Sequence, residues 1–256
     1  MTRTLLTLAR FSLIEAMRSR IGWLVIALLG IGASLAWFAG QVAITETSEI
    51  QTVLTASFLR FVAVFLISAF VINSQARETA DKGLDVLLSL PIPRTAYYLG
   101  KLLGYLAGAW LLAITFGLAL LFLGSFTDVV VWTVSLGLEL SIVAAASLFF
   151  VTTLAQVPVA LMAIIGFYLL SRAMAAFRLI GGSALIDDGA LMPKVIQHLL
   201  DAIAAILPRL DLYTQSTWLA EHVPSPSILW SLAGQALIYV ILLSAAGLVD
   251  LYRKNF

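Results

Sequence analysis

Residues 77–101, RETADKGLDVLLSLPIPRTAYYLGK, form the only long charged segment between two apolar runs of the chain. Arg77, Glu78, Asp81, Lys82, Asp85, Arg94 and Lys101 all fall inside it, although only 11% of the 256 residues are charged. Ala80, Leu84, Leu87 and Leu88 recur at helical spacing, with Glu78, Asp81, Lys82 and Asp85 on the other side, so the first half reads as a short amphipathic helix. Pro91 and Pro93 stop it, because the residue before a proline is pushed out of the α region. A new helix can start near Thr95, an acceptable N-cap. Such a segment suits either a solvated loop with a few helical turns or a surface that another protein pushes on.

Working outward, the flanks are membrane-like. The chain is 61% hydrophobic, against about 45–50% in ordinary soluble domains, and its mean hydropathy is +1.03. Six runs are long and apolar enough to cross a bilayer: about 21–39, 53–73, 102–123, 129–152, 159–177 and 228–249. Trp23 and Trp37 stand near the two ends of the first, as interfacial aromatics do. Residues 3–20 form a basic amphipathic stretch suited to the membrane surface. A cleaved signal peptide fits poorly, because the apolar run that follows is too long. The expectation is a single all-α integral membrane domain spanning residues 1–256, with an interfacial helix at 1–20 and a helical loop at 178–227.

Orientation follows the basic residues. With the N-terminus in the cytoplasm, ten of the fifteen Lys and Arg fall inside: Arg3, Arg10, Arg18, Arg20, Arg77, Lys82, Arg94, Lys101, Arg253 and Lys254. The outer loops hold only Arg178, Lys194 and Arg209, together with eight of the fourteen acids. Both termini are therefore expected in the cytoplasm, and the 178–227 loop outside. Within that loop, 193–207 reads as a helix with proline in its first turn, stopped by Pro208.

Arg60, Glu139 and Arg172 fall inside spans, where an unpaired charge is expensive. Counting at about 1.5 Å per residue, all three lie in the outer half at nearly one depth. They fit either an ion pair that fixes helix packing or the polar lining of an outward cavity. His198 and His222, 24 residues apart, read as polar loop residues rather than metal ligands, and there is no cysteine. No phosphate loop accompanies Gly100-Lys101, and no HExxH or GxSxG motif occurs, so neither ATP hydrolysis nor membrane proteolysis is expected of this chain. The net charge of +1 gives no reason to expect a nucleic-acid partner.

The 77–101 stretch resembles the segment between the second and third spans of ABC-2 type exporter permeases. That segment runs roughly E-x-E-x-G-T-L-E-x-L-L-x-L-P-[IV]-x-R, then Gly-Lys. Aligned on Pro91, Glu78 falls on the first acid and Asp85 on the later one. Leu84, Leu87, Leu88 and Leu90 fall on the leucines, and Pro91-Ile92, Arg94 and Gly100-Lys101 on the tail. Lys82 stands where the family has glycine, with Gly83 one place late, and Ala80 replaces the second acid. Residues 208–213, PRLDLY, resemble the P-x-L-D-L-[FY] run before the last span in the branch that includes the NosY-like permeases.

The resemblance implies a permease of the bacterial inner membrane, working as a dimer with a second copy of itself. Two copies of a separate ATPase, which alone would bind ATP and magnesium, would dock on residues 77–94. Glu78, Asp81, Lys82, Asp85 and Arg94 would make that contact, and an extracytoplasmic partner remains open. An ion-gradient-driven transporter, with the three buried charges as its relay, and a non-transporting membrane scaffold are the alternatives.

Overall fold

The computed structural model describes residues 2–19, 21–42, 47–80, 93–154, 156–181, 198, 201–204, 206–220 and 227–253. Within them lie α1 (Thr2–Arg18), α2 (Ile21–Val42), α3 (Thr47–Ala80), α4 (Arg94–Leu120), α5 (Phe126–Leu154), α6 (Val157–Gly181) and α7 (Ile228–Arg253). Two 3-10 turns, Leu210–Leu212 and Ser216–Leu219, lie between α6 and α7. No strand occurs among the described residues. Helices α2 to α7 are each long and apolar enough to cross a membrane, and the chain is a multi-pass membrane protein.

Helix α5 is the axis of the bundle and packs against α3, α4, α6 and α7. Apart from Asp128 and Glu139 it is uncharged and largely apolar on every side, as suits an enclosed helix. Of its apolar window, 78% is buried, against 11% for α2, which packs mainly on α3 and leaves most of its surface free. Small residues let neighbours approach α5 closely. Ala144, Ala145, Ala146 and Ser147 are fully buried, and the Trp110 ring lies so near Gly137 that a Cβ there would fall 2.7 Å from it. The hydroxyls of Ser141 and Ser147 are satisfied within the helix, donating to the carbonyls of Gly137 and Val143 (both 2.7 Å).

Several boundaries differ from the sequence reading. Helix α3 runs for 34 residues, from Thr47 to Ala80, not only over 53–73. At about 51 Å it outruns the roughly 30 Å hydrocarbon core, because the polar 74–79 turn continues the helical hydrogen bonding past the apolar run. Arg77 and Glu78 therefore end a spanning helix and do not open a separate amphipathic one. Likewise α4 starts at Arg94, with Pro93 as N-cap and no side-chain cap, not at a Thr95 cap. The fixed φ of proline, −64° here, already suits the helix start. Asp81, Lys82, Asp85 and the rest of 81–92 lie outside the described residues, as does most of the expected 193–207 helix. Of its described members, His198, 201–204 and Ile206 are helical, and Leu207 is a bend.

Helix α1 packs along the beginning of α4. Gly100 and Gly104 lie one helical turn apart and permit the approach. A Cβ on Gly104 would fall 2.6 Å from Ser12 Cβ and 2.8 Å from the Ala9 carbonyl oxygen. Ser12 is fully buried in this contact, while Leu6, Phe11 and Met17 stay exposed.

Candidate functional site

The two ends of the bundle carry separate polar clusters, and each absorbs residues that the sequence singles out. At the end where α6 finishes and α7 begins, Arg60 of α3, Glu139 of α5 and Arg172 of α6 come together. Arg172 Nη1 donates to Glu139 Oε1 at 3.1 Å, and the Tyr168 hydroxyl donates to the same oxygen at 3.0 Å. Arg60 lies within electrostatic reach of both Glu139 and Arg172, and its guanidinium packs over the Phe61 ring at 5.0 Å. Glu139 has no exposed surface, and Arg60 is 7% exposed.

Two arginines against one glutamate leave an excess positive charge, and backbone carbonyls of the 210–214 segment meet it. Arg172 Nη1 donates to the Leu210 carbonyl at 3.0 Å and its guanidinium reaches the Tyr213 carbonyl at 3.4 Å. Arg60 Nη1 donates to the Thr214 carbonyl at 2.9 Å. The 3-10 turn that begins at Leu210 and the left-handed backbone of Thr214 (φ 48°) place these carbonyls together. The segment is fastened on several sides. The Tyr213 hydroxyl donates to the Leu232 carbonyl (2.7 Å), the Thr214 amide donates to Ser135 Oγ (2.9 Å), and Ser57 and Ser216 hydroxyls meet at 2.7 Å. Burial, then the nearby Glu139 carboxylate, pushes the Tyr213 phenol above the ordinary tyrosine range, so it remains a donor. The PRLDLY run is thus the acceptor for Arg172, and Thr214, the residue after it, is the acceptor for Arg60. Its sequence signal was the proline and the short apolar-acidic alternation, but nothing in that pattern announces that backbone oxygens do the binding.

At the other end, Glu78 forms an ion pair with Lys101 of α4. Lys101 is 2% exposed and the Glu78 side chain 14%, so Glu78 does not stand on an open face as the sequence pattern suggested. Around the pair, Gln75 Nε2 donates to the Tyr97 hydroxyl (2.8 Å), the Tyr105 hydroxyl to Ser74 Oγ (3.1 Å), and Ser74 to the Glu15 carboxylate of α1 (2.9 Å). Arg94 Nη1 donates to the Leu251 carbonyl at 3.0 Å. Carbonyls in the last turn of a helix lack intrahelical donors, so Arg94 supplies one to α7. Arg94 also stands over the Tyr252 ring at 6.0 Å.

No protein-family model and no curated protein matches the chain. No group of His, Cys, Asp and Glu suited to a metal ion occurs among the described residues. The site's chemistry is that of mechanical fastening. The end of α3 is locked to α4 by Glu78–Lys101, and the first residue of α4, Arg94, is locked to α7.

Proposed function

We propose that this chain is the membrane-spanning subunit of an ATP-driven exporter of the ABC-2 type. It works as a dimer in the bacterial inner membrane with both termini in the cytoplasm, and is driven by a separate ATPase that docks on residues 77–94. The single observation carrying this reading is the double fastening of that segment. A push delivered to residues 81–92 reaches α3 and α4 through Glu78 and Lys101, and α7 through Arg94. These helices in turn embrace α5, so the displacement passes into the bundle axis. The ABC-2 resemblance of residues 78–101 supplies the identity of the pushing partner.

The test is co-purification with an ABC-type ATPase, sought first in the neighbouring reading frames, followed by ATP turnover of the reconstituted complex. Reversal of Asp81 and Asp85 to lysine is expected to weaken ATPase binding or uncouple its turnover, with insertion of the chain unchanged. Unaltered binding and turnover would remove the coupling role of the segment.

An ion-gradient-driven transporter is the second reading, favoured by the buried Arg60–Glu139–Arg172 cluster. It predicts transport that collapses with the proton gradient and survives ATP depletion, the reverse of the first reading. A membrane scaffold predicts neither.

A further inference from the structure

Helices α2 and α3 run antiparallel and meet closely only toward one end. There Gly32 lies against Phe58 and Leu59, and a Cβ on Gly40 would strike the Gln51 side chain. Toward the α1 end they splay, with Ile21 and Leu24 of α2 and Phe65, Ala69 and Asn73 of α3 lining the two sides of an open cavity. The splay opens a wedge of about 900 Å³ between α1, α2 and α3.

The wedge is graded along its length. Leu24, Phe65, Leu66 and Phe70 line its apolar stretch, the floor, and Arg18 and Arg77 line its basic end, the mouth. Twelve residues of α3 separate Phe65 from Arg77, about 18 Å of helix. One leaflet of hydrocarbon is about 15 Å deep, so the apolar floor and the basic mouth match an acyl chain and the headgroup level above it. Both arginines are exposed, and neither has an acidic partner among the described residues. The nearby Glu15 carboxylate is held by Ser74 (2.9 Å). Asn73 adds a neutral donor and acceptor at the mouth.

We propose that this wedge is a binding site for one anionic phospholipid, with its phosphate between Arg18 and Arg77 and an acyl chain along Phe65, Leu66 and Phe70. The charges select this occupant over a second copy of the chain. An isologous contact across the wedge sets like patch against like patch, bringing four arginines together. Guanidinium and phosphate, by contrast, pair through parallel N–H···O bonds. The proposal stands independently of the transport reading.

The experiment is native mass spectrometry of the purified chain after exchange into equal amounts of phosphatidylglycerol and phosphatidylcholine. Wild type is expected to retain one phosphatidylglycerol per protomer in preference to phosphatidylcholine. Arg18→Gln with Arg77→Gln is expected to lower that preference roughly 30-fold, about fivefold for each basic residue beside an anionic headgroup. Arg10→Gln with Arg253→Gln removes the same charge elsewhere and is expected to keep it. Ala69→Trp, which fills the wedge and keeps both arginines, is expected to expel the lipid. Glycerophosphate, a headgroup without chains, is expected not to compete. Equal retention of the two lipids by wild type would overturn the proposal, as would a double Gln or Ala69→Trp variant that retains phosphatidylglycerol like wild type. Competition by glycerophosphate would make the site one for a free phosphate. A disulfide between two Asn73→Cys chains in the membrane would make it an interface between copies. Either result overturns the lipid.

Discussion

Glu139 has no solvent-exposed surface, and among the described residues only one of its carboxylate oxygens meets donors, from Arg172 and Tyr168. Arg60 Nε likewise lacks a partner there. The cluster is held by a small set of strong contacts, so it is sensitive to single changes. Glu139→Gln leaves the buried Arg60 and the half-buried Arg172 without an acid, and removing one partner of a buried pair costs about 3–5 kcal/mol. A marked drop in unfolding temperature in detergent is expected. Adding Arg172→Met is expected to recover part of the loss, because the remaining carbonyl acceptors then serve Arg60 alone. Equal melting of wild type, single and double variants would show that the charges are solvated. Arg60, Glu139 and Arg172 were legible as a group because a charge inside an apolar run stands out, and helical rise fixes its depth. The carbonyls that complete the cluster were not, since every residue carries one and only the fold of 208–216 aims them.

Among the elements, the six apolar helices were legible from hydropathy alone, and their ends were not. Helix α3 extends well past its apolar run, because Ser74, Gln75 and Glu78 continue it by finding polar partners on α1 and α4. Local pattern cannot see partners that lie on other helices. The docking of α1 on α4 did have a signal, since Gly100, Gly104 and Gly108 recur at every fourth position, a spacing that lets helices approach in a membrane. The amphipathicity of α1 pointed toward the bilayer surface, whereas its Leu8–Ser12 stretch meets the α4 glycines. Gly104→Leu is expected to dislodge α1, since the nearest obstacles include the backbone oxygen of Ala9, which has no rotamer to change. A single cysteine at Ser12 of this cysteine-free chain reports the event. It is expected to resist maleimide in the otherwise native protein and to label in the Gly104→Leu background. Equal labelling in both would mean that α1 does not rest on this stripe.

On the scale of the whole molecule, the two polar clusters mark opposite ends of the bundle, and the distribution of basic residues gives those ends opposite sides of the membrane. An impermeant thiol reagent is expected to label Arg209→Cys in intact cells, and Arg253→Cys only after permeabilisation; the reverse pattern would invert the orientation. Whether force crosses the bundle turns on Glu78. The ABC-2 resemblance would give it an ATPase contact, whereas in the structure its carboxylate pairs with Lys101. The two roles separate by charge exchange. Glu78→Lys alone sets two cations together in a buried place, so a loss of folded protein or of coupling is expected, on the scale of about 3–5 kcal/mol for a broken buried pair. Glu78→Lys combined with Lys101→Glu restores an ion pair between α3 and α4 with its polarity exchanged. If Glu78 acts by tying these helices so that they move together, the exchanged pair is expected to regain most of the stability, and ATP turnover coupled to transport with it. If Glu78 acts on the ATPase surface directly, stability returns and coupling does not, because the partner then faces a lysine. Melting temperature and coupled turnover, measured on the same preparations, distinguish the two. The buried position of the pair makes recovery of both the expected result.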